Sequence, residues 1–421
     1  MKILIVNTTE RTGGAAVAAN RLMHALNRSG HEAKMLVRDK QTDDKNVITI
    51  NTSWIKRKIN FIRFVWERWV IFVHNHFNRK DLFKVSIANT GTDISKHPLV
   101  KDADIIHLHW INQGFLSLKN IQQLILLGKP IVWTMHDMWC FTGVCHYAGV
   151  CRKYETECKN CHLLKKSTTD KVKQLFLKKG NILSSSYINF VGCSRWIAGK
   201  AKGSTLLRNA RVLSIPNPID NDFFKPYDKV YAREKFNLPI NKKLILFAAA
   251  KLSDTRKGMS YFIETCQYLA TYTMNELIEI VFLGGKIDEN MQYVIPLKIN
   301  VLGYLKTNVD ISTVYAACDV FVTPSLEDNL PNTIMEAMSC GTPCVGFNTG
   351  GIPEMIGHKV NGYVAEYKSA KDLATGINWC LMPDNSETLS QQALTKAKNC
   401  YSENVVAKQY IELYTKTNNT L

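Results

Sequence analysis

No apolar run in this sequence approaches the roughly 20 residues that a helix needs to span a bilayer. The apolar opening Ile3-Leu4-Ile5-Val6 follows a single Lys2 and is too short for the core of a signal peptide. It reads as a first buried strand, and a cytoplasmic protein is expected. Internal repeats and low-complexity stretches are absent, which excludes solenoid arrays and long tethering linkers. No protein nucleophile is clearly indicated. Acidic residues are the scarce charge: 36 Asp and Glu stand against 53 Lys and Arg, for a net charge of +17. That excess suits nucleic acid, an anionic membrane or a phosphorylated substrate, and equally plain solubility; charge alone names no partner.

What is present is α/β in pattern. At 421 residues, 46% of them hydrophobic, the chain is too long for one ordinary core and suits two domains. Residues 1–217 read as one unit. Strands are expected at Met1–Val6, Glu32–Val37, Asp104–His109, Ile131–His136 and Asn189–Ser194, with a first amphipathic helix over Val17–Arg28. Strands alternating with helices mean a parallel sheet with crossover connections. Val212–Asp220 reads as a last strand and a hinge, because Pro216 and Pro218 continue neither strand nor helix. A second unit, 218–400, restarts at Leu244–Ala249 and continues through Glu279–Gly284, Asn300–Gly303, Val320–Val322 and Pro343–Gly346. A closing helix is expected within 401–421.

The richest stretch is Glu327-Asp328-Asn329-Leu330-Pro331-Asn332-Thr333-Ile334-Met335-Glu336-Ala337. It follows the apolar run Val320–Val322 and turns helical after Pro331. Asp328 and Glu336 are separated by seven residues, so both sit where a strand hands over to a helix. Open α/β sheets bind ligands there, and the unpartnered N–H groups of the helix favour anions. A carboxylate in such a place suits sugar hydroxyls, so a ligand with both phosphate and sugar accounts for both features.

This stretch resembles the acidic E-x7-E motif of retaining glycosyltransferases of family 4, and Cys340–Phe347 and Thr349-Gly350-Gly351-Ile352-Pro353-Glu354 resemble that family too. The resemblance implies the GT-B architecture of two Rossmann-like domains with parallel sheets facing a central cleft, and a closing helix within 401–421 that returns to pack on the first domain. The first acidic position is Asp328, with Glu327 one residue earlier, and either is a candidate to face the donor sugar. By resemblance Glu336 accepts from ribose hydroxyls, and Asn329, Leu330 and Asn332 lie near sugar and phosphates. Lys257, before Gly258, matches the family's diphosphate-binding Lys. Lys251 sits near the family's Arg, displaced by one residue, and Arg256 is its alternative. His136 resembles the first-domain histidine that assists the reacting centre, with Asp137 orienting it. His109, which shares a sheet face with His107, is assigned to acceptor contact. Gly13-Gly14, between the first strand and helix, is neither G-x-G-x-x-G nor a Walker loop. It matches the family loop that closes over the donor diphosphate or positions the acceptor. GT-B enzymes need no catalytic metal, and none is expected.

Two further features need an account. Cys140, Cys145, Cys151, Cys158 and Cys161 are five of the twelve cysteines. Cys158-x-x-Cys161 has zinc-knuckle spacing, and Cys145 and Cys151 complete four thiolates, with His146 and His162 in reserve. The alternatives are disulfides or free thiols. The run His136–Cys161 resembles a Cys-rich insertion of some bacterial polysaccharide glycosyltransferases. The stretch Trp54–Lys84 carries eight basic residues against Glu67 and Asp81. Ile55, Ile59, Ile62, Trp66, Trp69, Val73 and Phe77 fall on one helical face. That face either packs on its own sheet or lies on anionic lipid.

The expected activity is transfer of a hexose from a nucleoside diphosphate sugar to a sugar hydroxyl of a glycan, with a lipid-linked acceptor and the inner face of the plasma membrane as the expected setting. The alternatives are a GT-B nucleotide-sugar epimerase and a zinc- and nucleic-acid-binding protein. No nucleic-acid partner is expected on the leading reading.

Overall fold

The structure is a computed structural model. It describes residues 1–79, 81–164, 170–184, 188–249, 254–272, 275–285 and 291–418. The chain divides into two compact units, Met1–Asn217 with Val406–Leu421, and Pro218–Val405.

The first unit holds a seven-stranded sheet. Its strands are β1 (Lys2–Thr9), β2 (Glu32–Asp39), β3 (Val47–Thr49), β4 (Ile105–Leu108), β5 (Ile131–Met135), β6 (Ile188–Gly192) and β7 (Arg211–Ser214). The order is β3-β2-β1-β4-β5-β6-β7, and every pairing is parallel. β4, β5 and β6 are buried at every position, which is why they read as unbroken apolar runs rather than alternating ones. Helix α1 (Gly14–Arg28) buries Leu22 and Leu26 on one face of the sheet. The closing helix Glu403–Asn418 packs Val406, Tyr410 and Tyr414 into that same cluster. The other face carries a larger core that includes Leu108, Phe115, Trp133 and Phe190.

The second unit repeats the plan. Its strands are β8 (Lys243–Ala249), β9 (Ile278–Gly284), β10 (Lys298–Gly303), β11 (Val320–Thr323), β12 (Cys344–Phe347) and β13 (Gly362–Ala365). The order is β10-β9-β8-β11-β12-β13, again parallel throughout. In each sheet the strand order reverses once, between β1 and β4 and between β8 and β11. Such a switch point opens a crevice at the carboxyl ends of the strands. The two strands missing from the sequence reading, β3 and β13, are short edge strands of three and four residues. Neither carries a long enough apolar run to stand out.

Helix α2 (Trp54–His74) starts on Ser53, whose hydroxyl accepts from the N–H of Lys56. It stops ten residues before Lys84, because His76 and Phe77 take φ of 54° and 59°, which no α-helix continues. The helical face expected through Phe77 therefore ends earlier. Lys80 lies outside the described residues. Among those residues, no helix is long and apolar enough to cross a membrane.

Candidate functional site

In the second unit, two loops meet at the switch point. The loop after β8 carries Asp254, Arg256, Lys257 and Gly258; the loop after β11 carries Pro324 to Pro331. The N–H of Leu326 donates to the Arg256 carbonyl at 2.7 Å. Gly258 has φ 72°, and a Cβ built there would stand 1.8 Å from the Pro324 carbonyl oxygen, so only glycine fits. This close approach brings Lys257 Nζ to 2.7 Å from Asp328 Oδ2, although the two are 71 positions apart in sequence. Behind Asp328 the chain is pinned from a third side. The N–H of Gly351 donates to the Asp328 carbonyl at 3.1 Å. Gly350, at φ 59°, leaves only 1.8 Å between a built Cβ and that same oxygen.

The helix Asn332–Ser339 begins directly after Pro331. Asn329 and Leu330 are buried, while Glu327, Asp328, Asn332 and Glu336 are half-buried. Tyr315 donates to Glu336 Oε2 at 3.3 Å. Burial, and then the neighbouring Glu336 carboxylate, hold the Tyr315 phenol well above its usual range, so it remains a donor. Arg256 is clasped by Asp254, with Nη2 at 2.7 Å from Oδ2. Lys251 lies outside the described residues.

The first unit has its own cluster at its switch point, again at strand ends. His107 in β4 and His109 just beyond it have rings 4.2 Å apart. His109 Nδ1 lies 2.9 Å from His136 Nε2, and His136 Nδ1 lies 3.3 Å from Cys193 Sγ. Burial pushes His107 down to about 3 and His136 down to about 4, and holds His109 well below its usual range. All three imidazoles are neutral at pH 7, so each has one donor and one acceptor nitrogen.

The contacts with His109 and Cys193 occupy both ring nitrogens of His136, whereas the buried Nε2 of His109 has no protein partner. The buried Oδ1 of Asn112 is also without one. His109, Asn112 and His136 line one small cavity. The chain Cys193–His136–His109 transmits a proton choice. If the thiol donates to Met135 O, which lies 3.4 Å away, His136 Nδ1 donates to sulfur, its Nε2 accepts from His109, and His109 Nε2 is left as a base. If the thiol donates to His136 instead, His109 Nε2 becomes a donor.

Asp137 does not face His136 through a hydrogen bond of this chain. Its Oδ2 accepts from Trp110 Nε1 at 2.8 Å and pairs with His146 Nδ1 at 2.6 Å, and its Oδ1 accepts from the Trp139 N–H at 2.9 Å. Asp137 lines the same cavity as His109, Asn112 and His136, and these three hydrogen bonds hold its carboxylate in place. Gly13 and Gly14 are exposed at the start of α1. Gly13 has φ 92° with nothing near a built Cβ, so glycine is needed for the backbone angle alone.

Comparison with known proteins identifies the family. The model for Glycosyltransferase Family 4 matches residues 12–223, half of the chain. The chain belongs to glycosyltransferase family 4. The model for Glycosyl transferases group 1 matches residues 242–382. Neither describes an epimerase, and the epimerase alternative is not favoured.

Two curated relatives show how this glycosyltransferase compares. One is an N,N'-diacetylbacillosaminyl-diphospho-undecaprenol alpha-1,3-N-acetylgalactosaminyltransferase of Campylobacter jejuni, 31% identical over 200 residues, covering 46% of this chain and 50% of the relative. The other is a UDP-Gal:alpha-D-GlcNAc-diphosphoundecaprenol alpha-1,3-galactosyltransferase of Escherichia coli, 27% identical over 195 residues, covering 45% and 48%. The chain thus spans about half the length of these relatives. The solved sucrose-phosphate synthase of Thermosynechococcus elongatus shares the fold at TM-score 0.68 and 16% identity, over the full length of both chains. The two parallel-sheet, Rossmann-like units are those of the GT-B class.

The cysteine cluster of this glycosyltransferase lies in a second cavity of the first unit. Cys145, Cys151, Cys158 and Cys161 are free thiols that line one cavity, and His162 joins them. The N–H of Gly143 donates to Cys158 Sγ at 3.3 Å. Burial pushes the Cys145 thiol up to about 12 and Cys158 up to about 11. Among the described residues, no group of three or more His, Cys, Asp or Glu is arranged to hold a metal ion. His146, a reserve ligand by sequence, is taken by Asp137 and by Ser86 Oγ at 3.0 Å. Cys140 lines the histidine cavity instead.

Proposed function

We propose that this glycosyltransferase moves a hexose from a nucleoside diphosphate sugar to a hydroxyl of a lipid-linked glycan intermediate, with retention of configuration. The observation that carries the reading is the Lys257–Asp328 ion pair at the second switch point, with Glu336 on the helix that follows. A cation beside a carboxylate suits a ligand with phosphates and sugar hydroxyls together. The acceptor class is supported by the names of the two relatives, each acting on a sugar diphospho-undecaprenol.

On this reading the donor's arrival shifts Lys257 from Asp328 onto the diphosphate. Asp328, with Glu327 beside it, then receives the hexose hydroxyls, and Glu336 receives those of the ribose. Arg256 and Lys251 supply further positive charge near the phosphates, and Asn329, Leu330 and Asn332 line sugar and phosphates. The C1–O bond to the diphosphate breaks, and a bond from C1 to the acceptor oxygen forms on the same face. The acceptor's proton passes to a departing phosphate oxygen, so neither a protein nucleophile nor a catalytic metal is required. In the first unit, His109 Nε2 and Asn112 Oδ1 serve the acceptor, His136 positions His109, and Gly13-Gly14 gives a pliant loop. Peripheral placement at the inner face of the plasma membrane belongs to the same reading.

The test is a panel of nucleoside diphosphate sugars with a polyprenol-diphosphate-linked sugar as acceptor. Release of nucleoside diphosphate is expected with one donor, and only when acceptor is present. Glu336→Ala is expected to lower kcat/KM by about a hundredfold. Conversion of the donor to its epimer without acceptor would overturn the reading. A structural zinc on the four cysteines is a separate part of the reading: the thiols line one cavity but are not arranged for a metal here, so binding would have to draw them together. Purified protein is then expected to carry about one zinc per chain by mass spectrometry. Zinc-free protein of unchanged stability would remove that part.

A further inference from the structure

Helix α2 is inverted. Its buried residues are Asn60, Glu67, Arg68 and Ile71, three of them polar. Glu67 is fully buried and accepts from the N–H groups of Ile87 and Ala88, both at 2.9 Å. Arg68 pairs with Glu67 at 3.2 Å and donates to the carbonyls of Leu82 and Val85. Asn60 Nδ2 donates to Asn51 Oδ1 at 2.6 Å. The helix is thus fastened to its unit largely through polar groups.

The side turned to solvent is the apolar one. Ile62 is 62% exposed, Trp66 51% and Trp69 52%, and Ile55 and Ile59 continue the stripe at three–four spacing. The rings of Trp66 and Trp69 stack at 5.3 Å. Of the two fates the sequence allowed this face, packing on its own sheet is therefore excluded. A contiguous apolar stripe of this kind marks a contact surface.

Charge says what covers it. The only acid on α2 is the buried Glu67, so every exposed charge on the helix is positive: Lys56, Arg57 and Lys58. Lys58 Nζ lies 5.6 Å from the Trp54 ring centroid. A second copy meeting this face symmetrically would set these cations against their own kind. An anionic lipid surface satisfies both features, apolar chains below and phosphates above. We propose that α2 lies in the interface of an anionic bilayer, with Trp66 and Trp69 at the acyl boundary and Lys56, Arg57 and Lys58 at the headgroups. The inference deepens the peripheral placement of the proposed function and rests on that part of it, whereas its test does not depend on sugar transfer.

The test is co-sedimentation of the purified full chain with vesicles of phosphatidylcholine, with or without phosphatidylglycerol. Wild type is expected to bind the anionic vesicles more tightly, and salt should weaken that preference. Trp66→Ser with Trp69→Ser should weaken binding at least about tenfold at unchanged circular dichroism, because both side chains are exposed. Lys56→Glu, Arg57→Glu and Lys58→Glu together should remove the preference for phosphatidylglycerol. Wild type that ignores the anionic vesicles, or tryptophan variants that bind as well as wild type, would overturn the proposal. So would a lipid-free dimer that dissociates in the tryptophan variants, which would assign the face to a second copy.

Discussion

At the residue scale, the neutral histidines make the sharpest prediction. His136 has a folded pKa near 4 and an unfolded one near 6.5. The unfolded chain therefore binds more protons between these values, and stability rises with pH across that window. The contribution is fully present above about 6.5 and is lost as pH falls toward 4. For His136 alone it is on the order of 3 kcal/mol. Denaturant unfolding at several pH values is expected to show this slope, and His136→Asn should flatten part of it. A slope unchanged in the variant would contradict the buried neutral imidazole. Cys193 belongs to the same scale. Its thiol sets which proton His136 offers, so Cys193→Ala is expected to lower kcat and move its pH profile while leaving donor KM unchanged.

At the element scale, the loops after β8, β11 and β12 are held by glycines with no room to spare. Gly350→Ala puts a Cβ against the Asp328 carbonyl at a positive φ, and should cost about 3 kcal/mol or more, with most activity lost. Gly13→Ala, also at positive φ but with open space around it, should cost about 1–2 kcal/mol. Equal melting temperatures for the two variants would refute this contrast. The closing helix adds a second such element. Tyr414 OH lies 2.7 Å from His107 Nδ1, and Tyr410 OH lies 2.9 Å from Thr134 Oγ1, whose other partner is His107 Nε2 at 2.8 Å. The helix thus fixes the histidine whose ring lies 4.2 Å from that of His109. Tyr414→Phe should lower stability by about 1 kcal/mol, read by thermal unfolding, by leaving a buried ring nitrogen unsatisfied.

At the scale of the whole molecule, the sheets were legible because buried parallel strands write themselves as short apolar runs. Asp328 was legible as a residue beyond the end of such a run and Lys257 through the family resemblance, before Gly258, and the parallel topology then explains why they meet. What was hidden is what strand ends alone do not encode. Asn112 carries no motif, and its significance comes only from an unpartnered oxygen in a cavity. Cys193 had a signal, since it directly follows a buried strand as His136 does, but cysteine at such a place reads as filler. Tyr410 and Tyr414 share a helix face, yet nothing in the sequence says that this face meets β4 and β5. The inverted polarity of α2 was half legible: spacing located the apolar stripe, and only the burial of Glu67 and Arg68 turned it outward.

The central claim is that the second unit holds a nucleoside diphosphate sugar through Lys257. The most direct measurement is the thermal shift of wild type and Lys257→Ala with saturating nucleoside diphosphates. A ligand that binds only the folded state raises the melting temperature. Wild type is predicted to melt several degrees higher with one nucleoside diphosphate, and Lys257→Ala to lose most of that rise. An equal rise in both proteins, or none with any nucleotide, would contradict the account.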